Sequence, residues 1–190
     1  ALLAMGLHED QISILNPFDR RCAAWDMAAD ITDPATADQI AAILAPDEGD
    51  PHPFFPKAAQ SLVGGLMEAY FYLAPRRWTF RDVVLGLRTD NRLKTILGRC
   101  PQTRHLTEKF LPGTGATQHD IAATIENTMR RLAFVAAAWD RAKTSVSLDQ
   151  WMRGESVLLL GSNPALQSTV QQLNAAIFHR VTQLVLRQPN

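Results

Sequence analysis

Two short strand signals are separated by 140 residues that read almost entirely as helix. Gln11 to Leu15 alternates polar and aliphatic residues before Asn16-Pro17, the pattern of a short strand that closes in a turn. Ser156 to Leu160 is a compact apolar run ended by Gly161, which predicts a strand buried on both faces. The two strands are expected to belong to one sheet that this chain does not complete, because a lone strand pair is marginal in water.

Prolines and capping residues divide the intervening stretch into helices. Asp33-Pro34 supplies an N-cap and a proline at N1, and Pro46 stops that helix. A longer helix is predicted from about Lys57 to Leu73, with Leu62, Leu66, Met67 and Tyr70 at helical spacing. Gly64-Gly65 weakens its middle by roughly 1 kcal/mol per glycine unless close packing demands it. Three short helices follow at Thr79 to Leu87, Asp90 to Leu97 and Thr103 to Leu111. Thr79 with Asp82, and Ser147 to Gln150, have the spacing of capping boxes. The long helix from about Gln118 to Lys143, with Thr117 as its cap, carries Ile121, Ile125, Met129, Leu132, Ala136 and Trp139 on one face. Asn163-Pro164 opens a last helix whose stripe includes Leu173, Ile177 and Leu184. The fold class is therefore mainly α, a multi-helix body with two short flanking β-strands.

With 190 residues, 46% of them hydrophobic, the chain can bury a sizeable core. Its longest apolar run, Leu132 to Trp139, is eight residues, far short of the roughly 18 to 20 that cross a bilayer. The formal net charge of zero conceals a division. Residues 1–75 hold 11 acids and 3 bases, a net of −8, and residues 76–190 hold 16 bases and 8 acids, a net of +8. Such a split implies either an anionic partner for the second half or mutual screening of the halves. The two cysteines, Cys22 and Cys100, have neither the spacing of a metal site nor that of a disulfide framework, which predicts reduced structural thiols. The absence of an initiator Met and an end in mid-helix lead us to expect a piece of a longer protein.

Catalytic patterns find no anchor in the sequence. Gly113 to Thr117 precedes a helix, but no Lys-Ser/Thr follows it, so it reads as an interhelical loop and not as a P-loop. The five histidines lack ligand spacing, and Gly161-Ser162-Asn163-Pro164 is not a nucleophile elbow. No catalytic residue and no metal site are assigned.

The basic residues give the stronger signal. Arg76, Arg77, Arg81, Arg88, Arg92, Lys94, Arg99, Arg104 and Lys109 meet only three acids in their stretch, and Arg130 and Arg141 share a face of the long helix. Short helices with arginines near their ends suit contact with a phosphate backbone. A solvated face paired with the acidic half explains the same composition equally well. Of the four tryptophans, Trp139 and Trp151 are expected in the core, while Trp78, flanked by Arg76, Arg77 and Arg81, has the setting of a surface stacking platform.

Ile14 to Cys22, continued by Trp25-Asp26 and Ala29 to Pro34, resembles a segment of the coupling proteins of type IV secretion and bacterial conjugation, the TraD/TrwB-like family. Its core is Asn16, Pro17, Phe18, Asp19, Arg20, Trp25 and Asp26. Phe54-Phe55 with Ala58-Ala59, and Ser147 to Trp151, resemble further pieces in the same order. The resemblance implies a hexameric RecA-like DNA-translocating ATPase at the cytoplasmic face of the bacterial inner membrane, interrupted by an all-α substrate-recognition domain. Residues 1–32 would then be a flanking segment of the RecA-like domain with a strand at 11–15, residues 33–153 the all-α domain, and residues 154–190 the returning strand and helix. Implied partners are DNA, single- or double-stranded, and a relaxase, relaxosome accessory or effector protein, together with the parent hexamer and the secretion channel. No direct membrane contact is expected of this fragment, which is expected to be soluble, cytosolic and monomeric. Asp47, Glu48 and Asp50 are candidates for protein docking. ATP and Mg are implied for the parent alone, because there is no Walker A Lys-Ser/Thr here and no hydrophobic strand ending in a Walker B Asp-Glu. The chain as given is therefore expected to be no enzyme. Alternatives are a protein-docking module that does not bind DNA, and a free-standing helical regulator.

Overall fold

The computed structural model describes residues 6–47, 53–113, 115–162 and 167–187. Strand β1 (Ile12–Leu15) pairs in parallel with the distant strand β4 (Val157–Leu160), Ile12 lying opposite Val157 and Leu15 opposite Leu160. A parallel pair needs a crossover, and here the crossover is the helical body. The pairing meets the expectation of a shared sheet, but burial of the second strand on both faces does not hold. Leu159 and Leu160 are each 38% exposed, because the described elements leave part of both faces of β4 uncovered. A second parallel pair, β2 (Ala24–Trp25) with β3 (Ser145–Val146), is two residues long on each side and left no periodicity to read.

The helices start where their caps place them. After a single turn, α1 (Met27–Asp30), the Thr36 N–H donates to the Asp33 carboxylate at 2.7 Å and opens α2 (Pro34–Leu44). Helix α3 (Phe54–Leu73) begins three residues before the expected Lys57. Pro56 lies in its first turn, where a missing N–H leaves no helical bond unmade. Thr79 and Asp82 cap each other reciprocally at the start of α4 (Phe80–Gly86), and Thr89 caps α5 (Asp90–Arg99). In α6 (Arg104–Phe110) the cap hydroxyl, Thr103, turns back to the Leu97 carbonyl instead.

Helix α7 (Ala116–Asp140) has Gly115 and not Thr117 at its N-cap. Thr117 falls inside the first turn, and the Gln118 side chain accepts from the Gly113 N–H while donating to Asp90. Ser147 caps the short α8 (Leu148–Met152). Helix α9 (Gln167–Leu186) closes the described chain, and its expected cap at Asn163-Pro164 lies outside the described residues.

One hydrophobic cluster runs through the whole assembly. Leu62, Leu66 and Met67 of α3 are fully buried, as are Leu132 and Val135 of α7, with Leu173 and Ile177 of α9 beside them. Each such side chain contributes roughly 1.5–3 kcal/mol by its burial. The glycine pair in α3 has a packing reason. A Cβ on Gly64 would stand 2.5 Å from Asp38 Oδ1 and 3.4 Å from the Asp38 backbone, and one on Gly65 would overlap Leu106. Helices α2 and α6 thus approach α3 where it has no side chains. Cys22 and Cys100 are free and buried. Among the described residues no helix is long and apolar enough to cross a membrane.

Candidate nucleic-acid interface

Three of the basic residues, Arg81, Arg88 and Arg130, come together where α4 packs on α7. Between these helices lies a groove of about 560 Å³, with Val84, Leu85, Ile125 and Met129 in its wall and Arg81, Arg88 and Arg130 at its rim. The α7 residues that line it run from Ala122 to Ala136 at every third or fourth position, which spans about 21 Å at 1.5 Å per residue. That length matches about six base-pair steps of B-DNA.

A second groove, of about 430 Å³, adjoins the end of α7 and the β2–β3 pair, and Arg76, Arg77, Arg81 and Lys143 line it. Arg81 belongs to both grooves, and its guanidinium lies 3.3 Å from the Asp140 carboxylate. The two grooves therefore meet at one residue.

Local geometry explains why Arg76 and Arg77 project. The Arg77 N–H donates to the Ala74 carbonyl at 2.9 Å, closing a turn with Pro75 at its second position and Arg76 at its third. Arg76 has φ of 58°, the left-handed value that a type II turn requires there. The turn sends the chain inward immediately afterwards, so Trp78 is only 4% exposed and stacks on Tyr70 with ring centroids 6.0 Å apart. The expected surface platform at Trp78 is thus overturned. Trp25 and Trp139 are buried against each other edge to face, and the half-buried Trp151 donates its indole N–H to the Ser156 carbonyl at 3.1 Å.

The electrostatics of the face are mixed but not cancelled. Glu126 lies 3.5 Å from Arg130, and Asp26 and Asp90 also line the grooves. Arg76, Arg77, Arg88 and Lys143 are all exposed and make no ion pair with a described residue. The structure does not bring every candidate to these grooves. Arg92, Lys94 and Arg99 lie on α5, outside both linings, and Arg104 donates from Nε to the Gly98 carbonyl at 3.2 Å. Lys109 lies 4.8 Å from the centre of the Phe110 ring, and Arg141 is exposed at the C-cap of α7. Lys143 was missed by the sequence reading, although it follows Arg141 by two residues just past the helix end.

The motif residues near the N-terminus are staples. Asn16 Oδ1 accepts from the Phe18 N–H, and Asp26 caps α1. Hydrogen bonds from the Arg21 side chain, then its backbone N–H, hold the Asp19 pKa at about 2. Arg20 is exposed. Asp47 is exposed too, while Glu48 and Asp50 lie outside the described residues. Among the described residues no group of three or more His, Cys, Asp or Glu is placed to hold a metal ion.

A family model described as the type IV secretion-system coupling protein DNA-binding domain matches residues 7–190. The chain belongs to that family. The match takes in both strand pairs and every helix described above, so the resemblance carried by the Asn16 to Asp26 segment extends to the whole domain. No curated protein and no solved structure matches the chain.

Proposed function

We propose that this coupling-protein domain holds DNA by its phosphate backbone along the face formed by α4, α7 and the turn at Arg76. The observation that carries this reading is the convergence of Arg76, Arg77, Arg88 and Lys143, all exposed and without an ion-pair partner among the described residues, on two grooves that share Arg81. Arginine and lysine side chains without base-reading partners give salt-dependent binding with little sequence preference. Arg92, Lys94, Arg99, Arg104, Lys109 and Arg141 extend the positive field beyond the grooves.

The parent of this domain, in the same proposal, is a hexameric RecA-like ATPase at the inner membrane that supplies ATP and magnesium chemistry from elsewhere in its chain. The acidic segment with Asp47, Glu48 and Asp50 is its docking element for a relaxase, accessory or effector protein. Opposite charge on the two segments supports that division of labour.

Arg77→Glu with Arg88→Glu places one reversal in each groove. DNA affinity across a salt series is expected to fall about tenfold or more, with the log–log salt slope reduced by about two. Arg92→Glu with Arg99→Glu, outside the grooves, should cost less. Equal losses from the two pairs would remove the grooves from the interface, and wild-type affinity that ignores salt would remove the phosphate-binding reading altogether.

A further inference from the structure

The groove-lining helix carries an aromatic side chain that phosphate binding leaves unexplained. Phe134 is 49% exposed, and its ring stacks on Phe18 with centroids 5.1 Å apart and planes 18° from parallel. Phe18 covers one face of the Phe134 ring and fixes its orientation, while about half of the residue stays open to water. On α7 the ring has Arg130 one turn before it and Arg141 two turns after it, both exposed and on the same side of the helix. Arg130 also rims the α4–α7 groove, so the ring lies just over the crest of α7 from the proposed phosphate path.

Among the other exposed aromatics, Tyr72 meets Phe71 edge to face, with planes at 71°, and is not stacked on a parallel ring. Phe178 on α9 shares its face with Gln171, Thr182 and Val185, none of them charged. Phe54 meets Phe55 at 78° and Phe110 at 55°, so it is not held face to face as Phe134 is.

We propose that Phe134, held by Phe18 and flanked by Arg130 and Arg141, is a stacking platform for an unpaired base of single-stranded DNA. The inference rests on the DNA-binding reading above and adds the strand state. Every base presents a π-face, so such a platform tolerates any sequence, and the flanking guanidiniums hold the phosphates on either side. A base inside a duplex is already stacked on both faces and gains nothing from the ring.

The test compares a labelled single strand with its duplex, using the 190-residue chain and four variants. Phe134→Ala and Phe134→Leu are expected to weaken single-strand binding by about five- to a hundred-fold, with duplex binding within about two-fold of the parent. Leu keeps an apolar contact to Phe18 without a π-face, which separates loss of stacking from loss of folding. Phe134→Tyr should restore single-strand affinity to within about two-fold. If Phe134→Leu binds the single strand as tightly as the parent, while Arg77→Glu with Arg88→Glu loses both DNAs, the platform is overturned and the phosphate-binding reading stands. Equal loss of single-strand and duplex affinity in the Phe134 variants also overturns it. A parent chain with no salt-dependent affinity for either DNA removes both readings together.

Discussion

Asp30 has no exposed surface, and four donors converge on its two carboxylate oxygens. Ser147 Oγ and the Asp149 N–H reach Oδ1 at 2.8 and 3.2 Å, while the Trp25 indole and the Leu148 N–H reach Oδ2, both at 2.7 Å. Nearby, the buried Arg180 has its pKa lowered chiefly by burial, and also by Arg187, while Asp30, Asp33 and Asp149 oppose the shift. Asp30→Asn would turn an NH₂ group toward two of the donors and take a counter-charge from Arg180. A loss of about 2 to 4 kcal/mol is expected in urea unfolding, and a change under about 0.5 kcal/mol would show that the four bonds do not hold this junction. The sequence did not single out Asp30 because Ser147 is 117 residues away. Asp33 and Thr79 were legible as caps because each is served by an N–H three residues on.

Elements repeat this division between local and distant causes. The helices could be read from periodicity and caps because a helix closes its own bonds within four residues. The β2–β3 pair could not, since two residues show no alternation, and neither could the α4–α7 groove, which joins Arg88 and Arg130 across 42 positions of sequence. Close approach of α2 and α6 to the glycine pair of α3 also builds a pocket of about 400 Å³ lined by Asp38, Glu68 and His105. Burial pushes both carboxyls up, and for Glu68 the Asp38 charge adds to the shift while His105 opposes it. The folded state therefore binds these protons more tightly than the unfolded chain. Stability falls as pH rises from the ordinary carboxylate values, about 3.9 and 4.3, through the higher folded ones, and returns on acidification. Asp33 acts in the opposite sense. Burial raises its pKa, but the Thr36 N–H and hydroxyl and Arg187 outweigh that, so its contribution is lost as pH falls. Glu68→Gln should be more stable than the parent near neutral pH, with the difference shrinking toward zero below the ordinary glutamate range. Urea midpoints across a pH series measure it, and an advantage that persists in acid would have a cause other than titration.

At the scale of the whole molecule, the division by charge does not coincide with a division of the core. Arg81, Arg130 and Arg153 pair with Asp140, Glu126 and Asp149 of their own basic half, whereas Arg187 crosses to Asp33. Pairing of this kind leaves Arg76, Arg77, Arg88 and Lys143 available to a phosphate backbone, which composition alone could not separate from a screened face. The apolar side chains ignore the boundary. Leu15, Trp25 and Ile31 from the first segment, Leu66 and Leu132 from the helical body, and Leu173 and Ile177 from α9 belong to a single buried cluster. The segments 1–32, 33–153 and 154–190 that the family resemblance separates are therefore expected to unfold together. Trp25 reports on the first segment and Trp78, Trp139 and Trp151 on the helical body, while the third segment, which has no tryptophan, is sensed through the Trp151 bond to Ser156. The urea transition of tryptophan fluorescence should coincide with that of far-UV circular dichroism in one cooperative step. Two resolved transitions would mean that the strand pair and α9 rest on the helical body without sharing its core, and the Asp30 junction would then be a contact between separately folding units.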